Sequence, residues 1–562
     1  MKFSEMKYER PDIEASKKYA GQIKQKFIDA KSFEAADKAF MEWDKFTLHI
    51  DTMMSLAYTR SSIDTTDEYY EKEVEYIDEF SPVFTDIQHS FVKLVVNSRF
   101  RPQLEEKYGS LMFKNAEIFL KAFSPEIIPE TQETNKLETE YQKLIASAQI
   151  DFDGEKKTIS QLFPYKQSPD DEIRRSAWSA EAGFYSEHGK ELDEIYDKLV
   201  KLRDKKAKKL GYDNFVKLGY LQMNRNCYTA EDVDKFRKAV VKYIVPLADR
   251  LYREQAKRTG LEYPLTFADA SLRFRDGNPK PQGTPEEILE TGKKLYHELS
   301  DESAEFIDVM LDNELMDVLS KKGKAGGGYC TQLADYKVPF IFANFNGTAD
   351  DVEVITHEAG HAFAYYIARN IVPSDNQSPT LEACEVHSMT MEFFGWHKSD
   401  EFFGKDAAKF RYSHLFGAIT FIPYGTMVDH FQHLVYENPE MAPDQRHQVW
   451  RELLRVYMPW MKLDGSPFYG EGKGWQRQLH IYENPFYYID YCFAQTAALE
   501  FWTVMQKSHE EAWQRYMRLV RKAGTQTFIE LIDTAGLKSP FEGDALKEVA
   551  ENAGEWLDSN GI

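Results

Sequence analysis

A chain of 562 residues, 42% hydrophobic and 14% aromatic, is too apolar for a disordered polymer and long enough for three or four folded units. Its 70 Lys and Arg against 92 Asp and Glu leave a net charge of −22, which argues against nucleic acid or an anionic membrane as primary partner. Four cysteines without a CxxC pair make neither a disulfide framework nor a thiolate metal site, and neither an apolar leader nor an apolar run of 18 residues is visible, so a reducing, cytoplasmic compartment is expected.

With 30 Gly and 22 Pro, about 9% of the chain against a usual ~12%, long uninterrupted helices are expected. Phe33–Thr59 and Tyr69–Asn97 carry apolar residues at helical spacing, with a break near Pro82. Asp153-Gly154 signals a hairpin, and Ser168-Pro169-Asp170-Asp171 opens a new helix. A boundary near Asp151 divides an N-terminal helical lobe, residues 1–150, from the remainder, residues 151–562. Helical patterning continues to about Leu319, apart from a loop at Arg275–Thr284. The glycines from Gly323 to Gly328 then precede Lys337–Gly347, which is short, β-rich and bounded by turns, so Pro339–Asn346 is expected as a strand. Beyond Thr348 the pattern returns to helix.

His357-Glu358-Ala359-Gly360-His361 is an HExxH motif. Side chains four residues apart sit one turn apart on a helix, so both imidazoles can reach one Zn2+ at about 2.0–2.1 Å. Glu358 lies beside them, placed to take a proton from water rather than to bind the metal. On a helical wheel Val352, Ile355, Ala359, Ala362, Phe363 and Tyr366 form an apolar stripe, and the two histidines fall nearly opposite it. Histidines that merely fill a core would sit on the stripe. A catalytic zinc needs a third protein ligand and an open position. Asn376–His397 reads as a second helix, with Ser378 as N-cap and Pro379 at its first position. It offers Glu382, Glu385, His387 and Glu392. Glu385 and Glu392 share a face, being close to two turns apart; either can ligate while the other supports a ligating histidine, and spacing does not choose. Glu382 reads as part of a solvated face.

HEAGH, followed 24 residues later by EVHSMTME, resembles the thimet oligopeptidase and oligoendopeptidase F family of zinc peptidases, peptidase family M3. That family carries HExGH and then a ligand Glu within E-x-x-S-x-x-x-E, which Glu385, Ser388 and Glu392 match position for position. The resemblance implies Glu385 as third ligand and Glu392 as support for a ligating histidine, leaving His387 unassigned. GGGYCTQLADYKVPFIFANFNGTADDVEVITHEAGH is similar to the family's Gly-rich loop, strand and active-site helix. GTQTFIELIDTAGLKSPF is similar to its C-terminal signature, so the likeness covers about Asp151–Phe541. It implies a mainly α, two-lobed peptidase with a deep substrate channel, a small β-sheet next to the HExxH helix and one catalytic Zn2+ per chain. Short peptides are the implied partners, with no obligate protein partner. The family also has a His and paired tyrosines late in the chain. Here HIYENPFYYIDYCF follows the Gly-rich Asp464–Gly474, so His480 and Tyr491 are implied oxyanion donors, with Tyr488 or Tyr482 filling the second tyrosine's place.

The expected function is therefore zinc-dependent hydrolysis of internal bonds in short peptides, with 151–562 as the catalytic lobe. Ala343, Asn344 and Phe345 are expected to pair with the extended substrate. Two competing readings differ in their requirements. A metallo-carboxypeptidase on a similar scaffold needs a cation for the terminal carboxylate, and a non-catalytic peptide-binding protein has no need of Glu358.

Overall fold

The computed structural model describes residues 1–561. Four N-terminal helices, α1 (Ile13–Asp29), α2 (Phe33–Ile63), α3 (Glu68–Val96) and α4 (Ser110–Ala122), enclose a core of their own around Phe27, Trp43, Phe91 and Phe113. Trp43 and Phe91 stack with ring centroids 4.0 Å apart. Asp12 and Ser32 cap α1 and α2, their side chains accepting from the N–H of Ala15 and Ala35. The expected break at Pro82 does not occur. α3 runs straight through it, because Phe80, Phe84 and Ile87 bury on both sides and outweigh one missing N–H. α2 has 31 residues and so runs about 46 Å; it leaves the first core partway, placing Met53 and Leu56 in the main core. α5 (Ile128–Ala146) joins the main core through Leu137 and Tyr141.

β1 (Ile150–Phe152) and β2 (Glu155–Lys157) form the expected hairpin, with Asp153 and Gly154 both at positive φ as its tight turn requires. The second sheet has the order β3–β5–β4, from β3 (Met316–Leu319), β4 (Tyr329–Leu333) and β5 (Val338–Phe345). β3 is parallel and β4 antiparallel to β5. The strand read from the sequence is thus the central one, which corrects the expectation for Ala343, Asn344 and Phe345. Phe345 pairs with Leu319, the Ala343 carbonyl accepts from Lys324 Nζ at 2.5 Å, and Asn344 Nδ2 donates to the Ala325 and Gly327 carbonyls. The nearly unbroken apolar run of β5 belongs to a strand buried on both faces, with no edge to offer. β3 and β4 are the two edge strands, and β4 is the one whose residues line the cavity at α6.

Gly347, at φ +84, turns the chain from β5 into α6 (Asp350–Ala368), and the Asp351 carboxylate holds the turn by accepting from the N–H of Asn346 and Gly347 at 2.8 Å each. α6 lies against α7 (Leu381–Phe394) at Gly360. A Cβ there would stand 2.7 Å from Ser388 Cα and 2.8 Å from the His387 carbonyl oxygen, so only glycine permits the approach. α7 starts at Leu381 with Thr380 as its N-cap residue, two positions later than expected, because the Ser378 hydroxyl is engaged by Gln332 Nε2 of β4 at 2.8 Å. α8 (Ala407–Glu437) and α9 (Tyr488–Met505) complete the frame, α9 packing on both α7 and α8. No described helix is long and apolar enough to cross a membrane.

Candidate active site

The close crossing at Gly360 brings one turn of α6 and one turn of α7 together. His357, His361 and Glu385 present ligand atoms that all lie within 4.8 Å of one another. Glu385 Oε2 stands 3.3 Å from Nε2 of each histidine. An edge of that length belongs to a tetrahedron whose centre is about 2.0 Å from each corner, the distance zinc takes to nitrogen and oxygen. Two imidazoles and a carboxylate form an N/O donor set that suits zinc and leaves a fourth position open. The Ser388 hydroxyl donates to Glu385 Oε2 at 3.0 Å, and the Tyr487 hydroxyl donates to Oε1. Burial would raise the Glu385 carboxyl, but His361 and His357 beside it hold it well below the usual carboxylate range.

Behind His357 runs a chain of hydrogen bonds with one direction. Trp396 Nε1–H can only donate, and it meets His414 Nδ1 at 2.9 Å. His414 therefore carries its proton on Nε2, which donates to Glu392 Oε2 at 2.8 Å. Glu392 Oε1 accepts from His357 Nδ1 at 2.6 Å, leaving His357 Nε2 as a bare lone pair toward Glu385 and His361. Burial alone would raise the Glu392 carboxyl; hydrogen bonds from His357 and His414 bring it down to about 2.

Glu358 is 7% exposed, lines the cavity over the three ligand atoms and makes no hydrogen bond among the described residues. Burial raises its carboxyl, against the pull of His357 and His361. Gly328 abuts it: a Cβ there would be in ordinary contact, 3.5 Å from Glu358 Oε1. This cavity, of about 440 Å3, is walled by β4 on one side and by His480, Tyr487 and Tyr491 on the other. Tyr424 donates to Gln478 Oε1 at 2.8 Å, and Gln478 Nε2 donates to His480 Nδ1 at 3.1 Å. His480 Nε2–H then donates to the Tyr491 oxygen at 3.2 Å, leaving the tyrosine's own hydrogen available. Burial pushes the His480 imidazole down to about 4 and keeps the Tyr491 phenol protonated, so both are neutral donors.

Three expectations change. Tyr488 is not among the residues lining this cavity; its ring packs behind His480 and Tyr491, with centroids 4.9 and 5.4 Å away, and on Phe421 and Tyr424 at 5.7 and 5.8 Å. Tyr482 is fully buried and stacks on Tyr141 at 3.9 Å. The second tyrosine at the site is Tyr487, one turn before Tyr491, and the i,i+4 spacing of that pair was the signal that could have found it. Glu382 is not solvated: it is 1% exposed and accepts from the Thr380 hydroxyl at 2.9 Å. His387 lines the cavity but stands outside the converging set, 3% exposed, with burial pushing its imidazole down to about 3. His414, Trp396 and Gln478 carried no motif and were not foreseen.

Residues 164–551 match the profile described as peptidase family M3, and residues 3–123 that of the peptidase M3 N-terminal domain. Oligopeptidase PepF of Bacillus subtilis (strain 168) is 23% identical over 396 residues, covering 69% of this chain and 57% of that protein. Group B oligopeptidase PepB of Streptococcus agalactiae is 22% identical over 385 residues, covering 66% of this chain and 61% of that protein. The matched stretch thus spans less than two thirds of either relative. A solved structure of PZ peptidase A with inhibitor 2 is similar over 99% of both chains, with 46% identity and a TM-score of 0.98.

Proposed function

This chain belongs to peptidase family M3, and we propose on that premise that it is a zinc-dependent oligopeptidase, cleaving internal bonds of short unstructured peptides in the cytoplasm. The observation that carries the reading is the convergence of His357, His361 and Glu385 beside a buried Glu358 in one cavity. When bound to those three side chains, zinc supplies a Lewis acid that polarises the scissile carbonyl and acidifies the attacking water. Glu358 accepts the water's proton and returns it to the leaving amine; a carboxyl raised by burial is the better base for that task. Tyr491 supplies a neutral O–H donor to the developing oxyanion, with its oxygen held by the His480 N–H, and Tyr487 orients Glu385 through its other oxygen. The edge of β4 offers main-chain groups to an extended peptide, a mode of binding that ignores side-chain identity.

We assign residues 1–150 to a lobe that walls one side of the substrate channel. Trp43 and Phe91 of that lobe line a cavity that also reaches Ser378 and Pro379 at the site. Only a chain in extended form fits such a passage, which favours short peptides over folded proteins. The test is hydrolysis of a peptide blocked at both ends, lost with a chelator and restored by Zn2+. If the blocked peptide survives while its free-acid form is trimmed, the activity is that of a carboxypeptidase; if neither is cut, the protein only binds peptides.

A further inference from the structure

The chain enters α9, the helix that carries Tyr491, through a residue in an unfavourable conformation. Phe486 has φ +70, in the left-handed region that a bulky side chain rarely adopts. It is fully buried and held on every side. Its N–H donates to Gln432 Oε1 of α8 at 3.0 Å, and its carbonyl accepts from Arg225 Nη2. Its ring packs against His433 and Tyr436, with centroids 5.0 and 5.4 Å away. Gly219, on the helix Phe215–Gln222, makes room for that ring: a Cβ there would stand 2.6 Å from it. The same Arg225 Nη2 donates to Asp490 Oδ1 at 3.0 Å, so one guanidinium nitrogen ties residues 486 and 490 together across the start of α9. Tyr487 and Tyr491 directly follow those two residues, and both line the metal-site cavity.

Stability alone does not account for this arrangement. The Arg225 side chain is wholly buried, yet its Nε and Nη1 make no hydrogen bond among the described residues. Its positive charge lies at the N-terminal end of α9, where the helix dipole favours an anion, and no side chain caps that end. Backbone strain at Phe486, two unpaired buried nitrogens and a cation at the wrong helix end are each unfavourable. Such costs are retained where a site needs a fixed geometry. Here the φ of Phe486 sets the direction from which the chain enters α9. That direction decides whether the Tyr487 hydroxyl meets Glu385 Oε1 and whether the Tyr491 oxygen meets the His480 N–H, as both do.

Resting on the peptidase reading above, we propose that Arg225 and Gln432 are positioning residues for the reaction: by clamping Phe486 in the left-handed region they hold the Tyr491 hydroxyl where the oxyanion develops. Neither residue lines the metal-site cavity, so both act through Tyr491 and not on the substrate. The test uses full-length protein at saturating Zn2+ and an end-blocked peptide, with kcat, KM and zinc content measured on each variant. Arg225→Gln is expected to keep about one zinc per chain and to lower kcat about tenfold or more, with KM changed less than about twofold. Gln432→Met, which removes the acceptor at nearly constant volume, should lower kcat in the same way, and it decides the matter should the first variant not fold. The same two substitutions are then made in Tyr491→Phe, where the hydroxyl they position is already gone. There each should lower kcat by less than about threefold more, because a loss that passes through one hydroxyl is not incurred twice. General loosening of the fold would instead multiply the two losses in full. Such multiplication, or a kcat within about twofold of wild type in both folded variants, overturns the clamp. No hydrolysis by folded, zinc-loaded wild type overturns the peptidase reading and the clamp with it, a result distinct from a loss confined to the variants.

Discussion

Trp396 has one hydrogen to give, and giving it to His414 fixes every tautomer between the indole and His357. Removing that hydrogen frees His414 to flip and Glu392 to turn from His357. Trp396→Phe is therefore expected to weaken zinc binding about tenfold or more, measured by competition with a chromogenic chelator. His414→Gln, which keeps an N–H for Glu392, should bind zinc better than His414→Leu; equal affinities would mean that packing alone orients His357. The residues found from the sequence and those missed divide on the same physical line. His357, Glu358 and His361 lie within one turn of one helix, so spacing reveals them; Glu385 and Glu392 share a face of a second helix, and the family resemblance chose between them. Trp396 and His414 come from separate helices 18 residues apart and meet only through packing, which leaves no periodic trace. Tyr487 was hidden differently: counting from His480 passed over it, while counting back one turn from Tyr491 reaches it.

Among the elements, the crossing of α6 and α7 carries the site, and Gly360 sets its distance. A methyl group there would have to push back the Ser388 and His387 backbone, which cannot rotate away as a side chain can. Gly360→Ala is expected to cost about 1–3 kcal/mol of stability and to weaken zinc binding as Glu385 recedes. An unchanged melting temperature with unchanged zinc affinity would mean that the helices can separate without consequence. Helix identity was legible at this scale because long periodic runs outvote single breakers, even Pro82 inside α3. Sheet order was not legible. β5 announces itself by its apolar run, but its central place depends on β3 and β4, whose four and five residues carry no comparable pattern. The expected substrate strand therefore fell one strand inward of β4, the edge strand that lines the cavity.

For the whole molecule, buried neutral histidines set the response to acid. His433 is 4% exposed and accepts from the Tyr220 hydroxyl at 2.9 Å, with Asp429, Arg237 and Arg225 also facing it. Burial pushes its imidazole from 6.5 down to about 4, so between those values the unfolded chain binds a proton that the folded one refuses. Its stabilising contribution is full above pH 6.5, falls as pH drops through that window, and levels off below pH 4, an effect of about 3 kcal/mol. Urea titrations across that range should show the slope, and His433→Gln should flatten it; an unchanged slope would mean that other groups govern acid unfolding. The central claim is that one cavity separates metal binding, by His357, His361 and Glu385, from proton transfer, by Glu358. The most direct test is Glu358→Gln, with zinc content and hydrolysis of an end-blocked peptide measured on the same sample. The account predicts about one zinc per chain and a rate lower by several orders of magnitude. A metal-free variant, or one that still cleaves the peptide at near wild-type rate, would contradict it.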